Sequence, residues 1–157
     1  DAPLVAALHA RCSPQTRSLR SLPTRPVLTA AVLAQLIGAD GSTSMLAVTP
    51  DGGAAVGLAN LVRITPGTAQ IALLVEDAWQ GRGVGTALAR NLIELARAEQ
   101  FTEIVAVSQV GNGALTRVLR RAGLRPRGRL EGGALRVRAT VQSDEPVPNK
   151  PTQVSLA

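Results

Sequence analysis

Apolar positions recur along this chain with two different periods, and the switches between them mark the elements. From Val84 the period is helical: Leu88, Leu92, Ile93 and Ala96 share one face, with Arg90, Glu94 and Arg97 largely opposite. Ahead of that helix, Met45–Val48 and Ala54–Ile64 read as strands, joined through Thr49-Pro50-Asp51-Gly52-Gly53, whose proline and Asp-Gly are turn chemistry. Thr65-Pro66-Gly67 makes a second turn, and Gln70–Glu76 follows as a third adjacent strand. Glu103–Val107 lacks clean alternation, as expected of a strand covered on both faces. A short helix over Gly113–Ala122 stops at Gly123, and Leu130 with Leu135–Val141 predicts a closing hairpin around Gly132-Gly133.

The amino-terminal third has a different character. Ala2–Ala10 predicts a short helix, and Ser13-Pro14 reads as a cap with proline at the first position of another, running through Leu19. Pro23 and Pro26 interrupt it, and Thr29–Ile37 predicts a third helix ended by Gly38. At the other end, Pro146, Pro148 and Pro151 fall among polar residues, a spacing that no central strand tolerates. The expected organisation is one domain over residues 1–141 and a tail over 142–157, either disordered or an extended surface strap.

Composition narrows the function classes. With 157 residues, 45% of them apolar, the chain suits one packed domain. Phe101 and Trp79 are its only aromatic residues, which argues against single-stranded nucleic-acid recognition, because that usually stacks bases on aromatic rings. The formal charge is +6, and Lys150 is the only lysine, so the cations are guanidiniums suited to phosphate forks. The charge alone does not choose between phosphates, nucleic acid and acidic surfaces. One cysteine, Cys12, and one histidine, His9, exclude an internal disulfide and a zinc cluster, and no metal is expected. No apolar run reaches the roughly 18 residues needed to cross a bilayer, and Asp1-Ala2-Pro3 does not resemble a signal peptide. A cytoplasmic location is the expectation.

The stretch with the clearest chemistry is Val75-Glu76-Asp77-Ala78-Trp79-Gln80-Gly81-Arg82-Gly83-Val84-Gly85-Thr86. It reads as strand, glycine-punctuated turn and helix start. Glycines let the backbone approach a ligand closely, and the first N–H groups of a helix, lacking partners, can cradle a phosphate at the positive end of the dipole. The spacing fits neither the dinucleotide fingerprint nor the P-loop.

The order of elements around Gln80-Gly81-Arg82-Gly83-Val84-Gly85 resembles the GNAT superfamily of N-acetyltransferases, whose Gln/Arg-x-x-Gly-x-Gly/Ala loop it matches at each fixed position. Asn112 through Leu124 resembles the segment after that family's fifth strand, and the likeness spans about residues 43 to 141. Arg11-Cys12-Ser13-Pro14-Gln15-Thr16 with Leu19-Arg20 is similar to the start of bacterial domains related to protein lysine acetyltransferases. The resemblance implies an α/β (α+β) acyl-CoA N-acyltransferase fold, with a mixed central sheet flanked by helices and splayed at the cofactor site. It also implies a first strand ahead of Ala2, which is expected to be either absent or upstream of this sequence.

By the same resemblance, acetyl-CoA is the acyl donor. Backbone of Leu74, Val75 and Glu76 would pair with its pantetheine arm, main-chain groups from Gln80, Gly81, Arg82, Gly83, Val84, Gly85 and Thr86 would hold its pyrophosphate, and Asn112 would meet the arm. Val75 would offer its N–H to the reacting carbonyl. The acceptor would be a primary amine, on a small molecule or a protein. The family's usual glutamate base falls here at Gln70 and its tyrosine acid at Leu119, neither of which titrates; Glu76 is then the candidate base, ahead of Asp77 and His9. These substitutions leave a second expectation open, an acyl-CoA-binding regulatory or interaction domain with little or no activity. A homodimer also stays open, with the tail as the segment that would reach a second subunit.

Overall fold

The computed structural model describes residues 1–19, 30–38 and 41–141. The expectations for Arg20, Pro23, Pro26, Thr29 and the tail from Gln142 lie outside those residues. Three helices come first: α1 (Ala2–Arg11), α2 (Pro14–Leu19) and α3 (Ala30–Ile37). An antiparallel meander follows, β1 (Ser42–Val48), β2 (Ala55–Thr65) and β3 (Thr68–Val75). Then come α4 (Val84–Ala98), β4 (Glu103–Gln109), α5 (Ala114–Arg121), and the hairpin β5 (Arg127–Glu131) and β6 (Ala134–Thr140).

The six strands form one mixed sheet in the order β1-β2-β3-β4-β6-β5, antiparallel except where β3 meets β4. Strand β1 starts three residues before the expected Met45, because Ser42, Thr43 and Ser44 pair with Val62, Leu61 and Asn60 despite their polarity. The closing hairpin turns at Gly132 and Gly133, with φ of 58° and 79°. A two-residue loop with both φ angles positive suits the twist of the flanking strands.

Each face of the sheet has its own core. Helices α4 and α5 bring Leu88, Leu92, Ile93 and Leu119 against Ala59, Leu61, Ile71, Ile104 and Val137. Helices α1 and α3 bring Val5, Leu8 and Leu36 against Leu58 and Leu74 on the opposite face. Strand β2 is sandwiched between them, so Ala55–Leu61 is buried without interruption and its sequence shows no alternation. Gly57 sits where α4 presses closest: a Cβ there would lie 2.9 Å from Leu88 Cδ1.

The parallel pair β3/β4 is short. Thr68, Ala69 and Gln70 pair with Glu103, Ile104 and Val105, and beyond that register the strands part. The mixed sheet is thus splayed at its centre, between two strands whose facing edges run on without each other.

Candidate active site

The splay opens a cleft of about 230 Å³, walled by Gln70–Val75 on β3 and by Val107 and Ser108 on β4. Asn112, Ala114, Leu115 and Val118 close it on the α5 side, Gly85 stands at the start of α4, and Thr16 reaches in from α2. The cleft therefore passes through the sheet, with α4 and α5 at one mouth and α2 at the other.

Which backbone groups face it follows from strand alternation. Glu76 donates its N–H to Val56 O at 3.0 Å, so Glu76 and, two residues back, Leu74 are turned toward β2. Leu73 and Val75, beyond the last bridge to β4, therefore present their N–H and C=O to the gap. Of Leu74, Val75 and Glu76, the period of two leaves only Val75 with its N–H and C=O on the open edge. The Val75 carbonyl accepts a hydrogen bond from Gln80 Nε2 at 3.0 Å, and its N–H has no strand partner across the splay.

The glycine segment forms as expected, with one added feature. Asp77–Trp79 makes a 3₁₀ turn between β3 and the loop. Gly81 and Gly83 then take φ of 71° and 87°, and Gly83 is the left-handed residue on which α4 begins. No side chain caps α4, and no backbone hydrogen bond among the described residues takes the N–H of Gly81, Arg82 or Gly83. A Cβ at Gly81 or Gly83 would meet nothing within 4 Å. Open space, unclaimed N–H groups and a positive helix end in one place fit a phosphate group. Arg82 is exposed, its guanidinium 5.2 Å from the ring centre of half-buried Trp79, while Thr86 lies in the first turn of α4. Asn112 lines the cleft; its Oδ1 accepts from Ala114 N–H at 3.1 Å, which starts α5.

Glu76 and Asp77 serve as fastenings. The Glu76 carboxylate accepts from Arg11 Nε at 3.1 Å through Oε2 and is absent from the described cleft wall. Asp77 accepts from Ser13 N–H at 2.8 Å, Ser13 Oγ at 2.7 Å and Thr16 Oγ1 at 2.8 Å. Partial burial alone would raise the Asp77 pKa, but these three donors outweigh it and hold the carboxyl below its usual value. Thr16 also accepts from Gln80 Nε2 at 3.2 Å, and at the other end of α2 the Ser18 carbonyl accepts from Gln109 Nε2 at 3.2 Å. Helix α2 thereby straps the two arms of the splay together. A sequence signal for this existed, a serine cap followed three residues on by threonine, but its acidic partner lies more than sixty residues away.

Gln70 lines the cleft, whereas Leu119 is 1% exposed within the α4/α5 core. His9 is fully buried. Cys12 is buried too, and desolvation, reinforced by Asp77 and Glu76, pushes its thiol up to about 11, leaving it protonated and unreactive at neutral pH. Among the described residues, no Asp, Glu, His, Lys, Cys or Tyr walls the cleft. Ser108, buried against it, was not singled out from the sequence, where one serine in an apolar strand carries no signal. Among the described residues no cluster of three His, Cys, Asp or Glu side chains stands ready for a metal, and no helix is long and apolar enough to cross a membrane.

A splayed mixed sheet with a glycine-cradled helix start defines an acyl-CoA N-acyltransferase architecture. The family model of the acetyltransferase (GNAT) family matches residues 8–124, and the chain belongs to that family. Among solved structures, the GNAT domain of PAT from S. lividans is similar at 25% identity and a TM-score of 0.78, covering 89% of this chain and 85% of that one. The yncA protein from Salmonella typhimurium, solved with acetyl-CoA, is 20% identical over 92% of both chains, with a TM-score of 0.67. Spermidine N-acetyltransferase from Vibrio cholerae, in complex with CoA and spermine, is 13% identical over 89% of both chains, again at 0.67. No curated protein matches the sequence.

Proposed function

We propose that this protein transfers the acetyl group of acetyl-CoA to a primary amine by direct attack within the splay. The observation that carries this reading is the junction of an unpaired strand edge at Leu73 and Val75 with an uncapped, glycine-flanked helix start at Gly83. A pantetheine arm is an amide-bearing chain that can pair with such an edge, and a pyrophosphate fits the helix start. Acetyl-CoA supplies a thioester carbonyl and a good thiolate leaving group. The chain's part is to hold it, to exclude water with the apolar walls of Leu115 and Val118, and to point the Val75 N–H at the carbonyl oxygen as negative charge grows there. The acceptor enters from the opposite mouth, beneath α2, so the two reactants meet in the plane of the sheet.

Proton removal takes a particular form here. With no ionisable side chain among the described wall residues, the ammonium proton leaves to water at the α2 mouth, where Thr16 and Gln70 supply hydrogen-bonding groups. The rate should then follow the acceptor's own neutral fraction: log kcat/KM climbs with unit slope as pH rises toward the amine pKa, with no plateau set by an enzyme group. Single-turnover reactions with acetyl-CoA and amines of graded pKa, read by mass spectrometry, test both statements. Acetylamide above the uncatalysed level supports transfer; binding without product on any amine would favour the acyl-CoA-binding regulatory reading that the inert seats at Gln70 and Leu119 motivate. The soluble domain is read as cytoplasmic and bacterial in type, and its acceptor as a small-molecule or protein amine.

A further inference from the structure

The sheet face that opens at the α2 mouth carries a block of arginines. Arg127 lies directly across from Arg138, and Arg129 directly across from Arg136, on the β5/β6 hairpin. Val137 and Ala139 point into the α4/α5 core, so Arg136 and Arg138 are on the other face, and their cross-strand partners with them. Like charges set directly opposite destabilise a strand pair. Two flanking acids relieve only half of the block: Arg136 pairs with Glu131 at 3.0 Å and Arg138 with Glu103 at 2.7 Å. Arg127 and Arg129 are exposed, and neither has an ion pair or hydrogen bond among the described residues.

The register ties this block to the cleft. Gln70, Val105, Arg138 and Arg127 form one row across four strands, and Val107, Arg136 and Arg129 form the next. Gln70 and Val107 are wall residues of the cleft, and Val107 keeps 43% of its surface exposed beside Arg136. On α2, next to the wall residue Thr16, Arg17 is only 5% exposed, and its Nε and Nη1 have no hydrogen-bond partner among the described residues. Buried guanidinium N–H groups without a partner are costly, and an anion would relieve them.

We propose that this arginine block is a docking surface for an acidic polypeptide segment whose lysine is the acetyl acceptor. The inference rests on the acetyl-transfer reading and names its substrate class. Two inter-strand steps of about 4.8 Å separate Val107 from Arg129, the reach of roughly three extended residues, so the acidic side chains belong within about three positions of the lysine. A polyamine, cationic along its length, is repelled by the same surface. A nucleic acid would find phosphate partners but no aromatic platform.

The test is the rate of acetylation of matched lysine peptides flanked by glutamate, glutamine or arginine, with wild type and the Arg127→Glu/Arg129→Glu double variant. The variant places carboxylates opposite Arg138 and Arg136, a favourable cross-strand pairing that keeps the hairpin folded. For wild type, kcat/KM should fall in the order glutamate, glutamine, arginine, with about ten-fold between the extremes at low salt, and the variant should reverse that order. Equal rates on the three peptides, or an unchanged order in the variant, overturn the proposal. If no peptide is acetylated, anisotropy of the same labelled peptides separates the two readings. Tighter binding of the acidic peptide, reversed by the variant, upholds the surface while transfer fails, and equal binding overturns the surface. A single-stranded DNA oligonucleotide bound more tightly than the acidic peptide also overturns it.

Discussion

The two mouths of the cleft are built from different materials. On the α4 side the groups proposed to meet the ligand are backbone: the open edge of β3 and the N–H groups around Gly81 and Gly83, held by glycine conformations rather than by side-chain identity. On the α2 side they are side chains: Thr16, Gln70 and the arginines of β5 and β6. A backbone site fixes one shape of ligand and recurs wherever that ligand is used. A side-chain site can be rewritten position by position, so family membership defines the acyl donor here more closely than it does the acceptor.

The largest effect expected from this contrast is at Gly83. Gly83→Val puts a β-branched residue at φ of 87°, a region that costs an L-residue about 1–2 kcal/mol, and it shifts N–H groups off the phosphate. Losing about two charge-assisted hydrogen bonds should weaken acetyl-CoA binding by roughly 100-fold, with circular dichroism showing a folded chain. Unchanged affinity would remove the phosphate from this loop.

Asp77→Ala should act on the opposite mouth. It removes the acceptor of three hydrogen bonds that hold α2, so KM for the amine should rise by about ten-fold while acetyl-CoA affinity stays within about two-fold of wild type. Equal losses for both ligands would mean that the mouths are not separable. The stability difference from wild type has a definite pH sign. The folded-state pKa of Asp77 is depressed, so its contribution is complete above the unfolded value of 3.8 and disappears as pH falls through the folded one. Thermal melts of the two proteins should converge only in acid.

Gln70→Glu would place a carboxylate on the cleft wall. The expected gain in kcat near neutral pH is about ten-fold or more, with a pH profile that now levels above the pKa of the new group. No change would show that the departing proton does not pass Gln70. Leu119→Tyr should give no such gain, because position 119 is sealed in the core; overpacking should cost about 1–3 kcal/mol instead, visible as a lower Tm. The smallest effect belongs to Glu76→Gln. Its partly exposed pair with Arg11 should contribute under about 1 kcal/mol, and kcat should stay within about two-fold. A large loss of rate with unchanged folding would restore Glu76 as a base.

The same contrast explains what was legible in the sequence. The helix from Val84, the glycine turn and the closing hairpin are local: hydrophobic period and turn residues determine them within a few positions, and the structure reproduces them within a residue or two. The strap formed by α2 is not local, since Ser13 and Thr16 find Asp77 only after the meander has folded. Glu76 illustrates the limit most clearly. Its place beside the cofactor strand was readable, but alternation turns its N–H to β2, and Arg11, more than sixty residues earlier, claims its carboxylate. The arginine block needed the registers Arg127↔Arg138 and Arg129↔Arg136 before a basic composition became a surface.

The most direct test of the central claim is a calorimetric titration of the chain with acetyl-CoA, with CoA and ATP as comparators. Saturable binding at one site, tighter for acetyl-CoA and CoA than for ATP and lost in Gly83→Val, is the predicted result. No heat of binding at millimolar acetyl-CoA, or equal affinity for ATP, would contradict it.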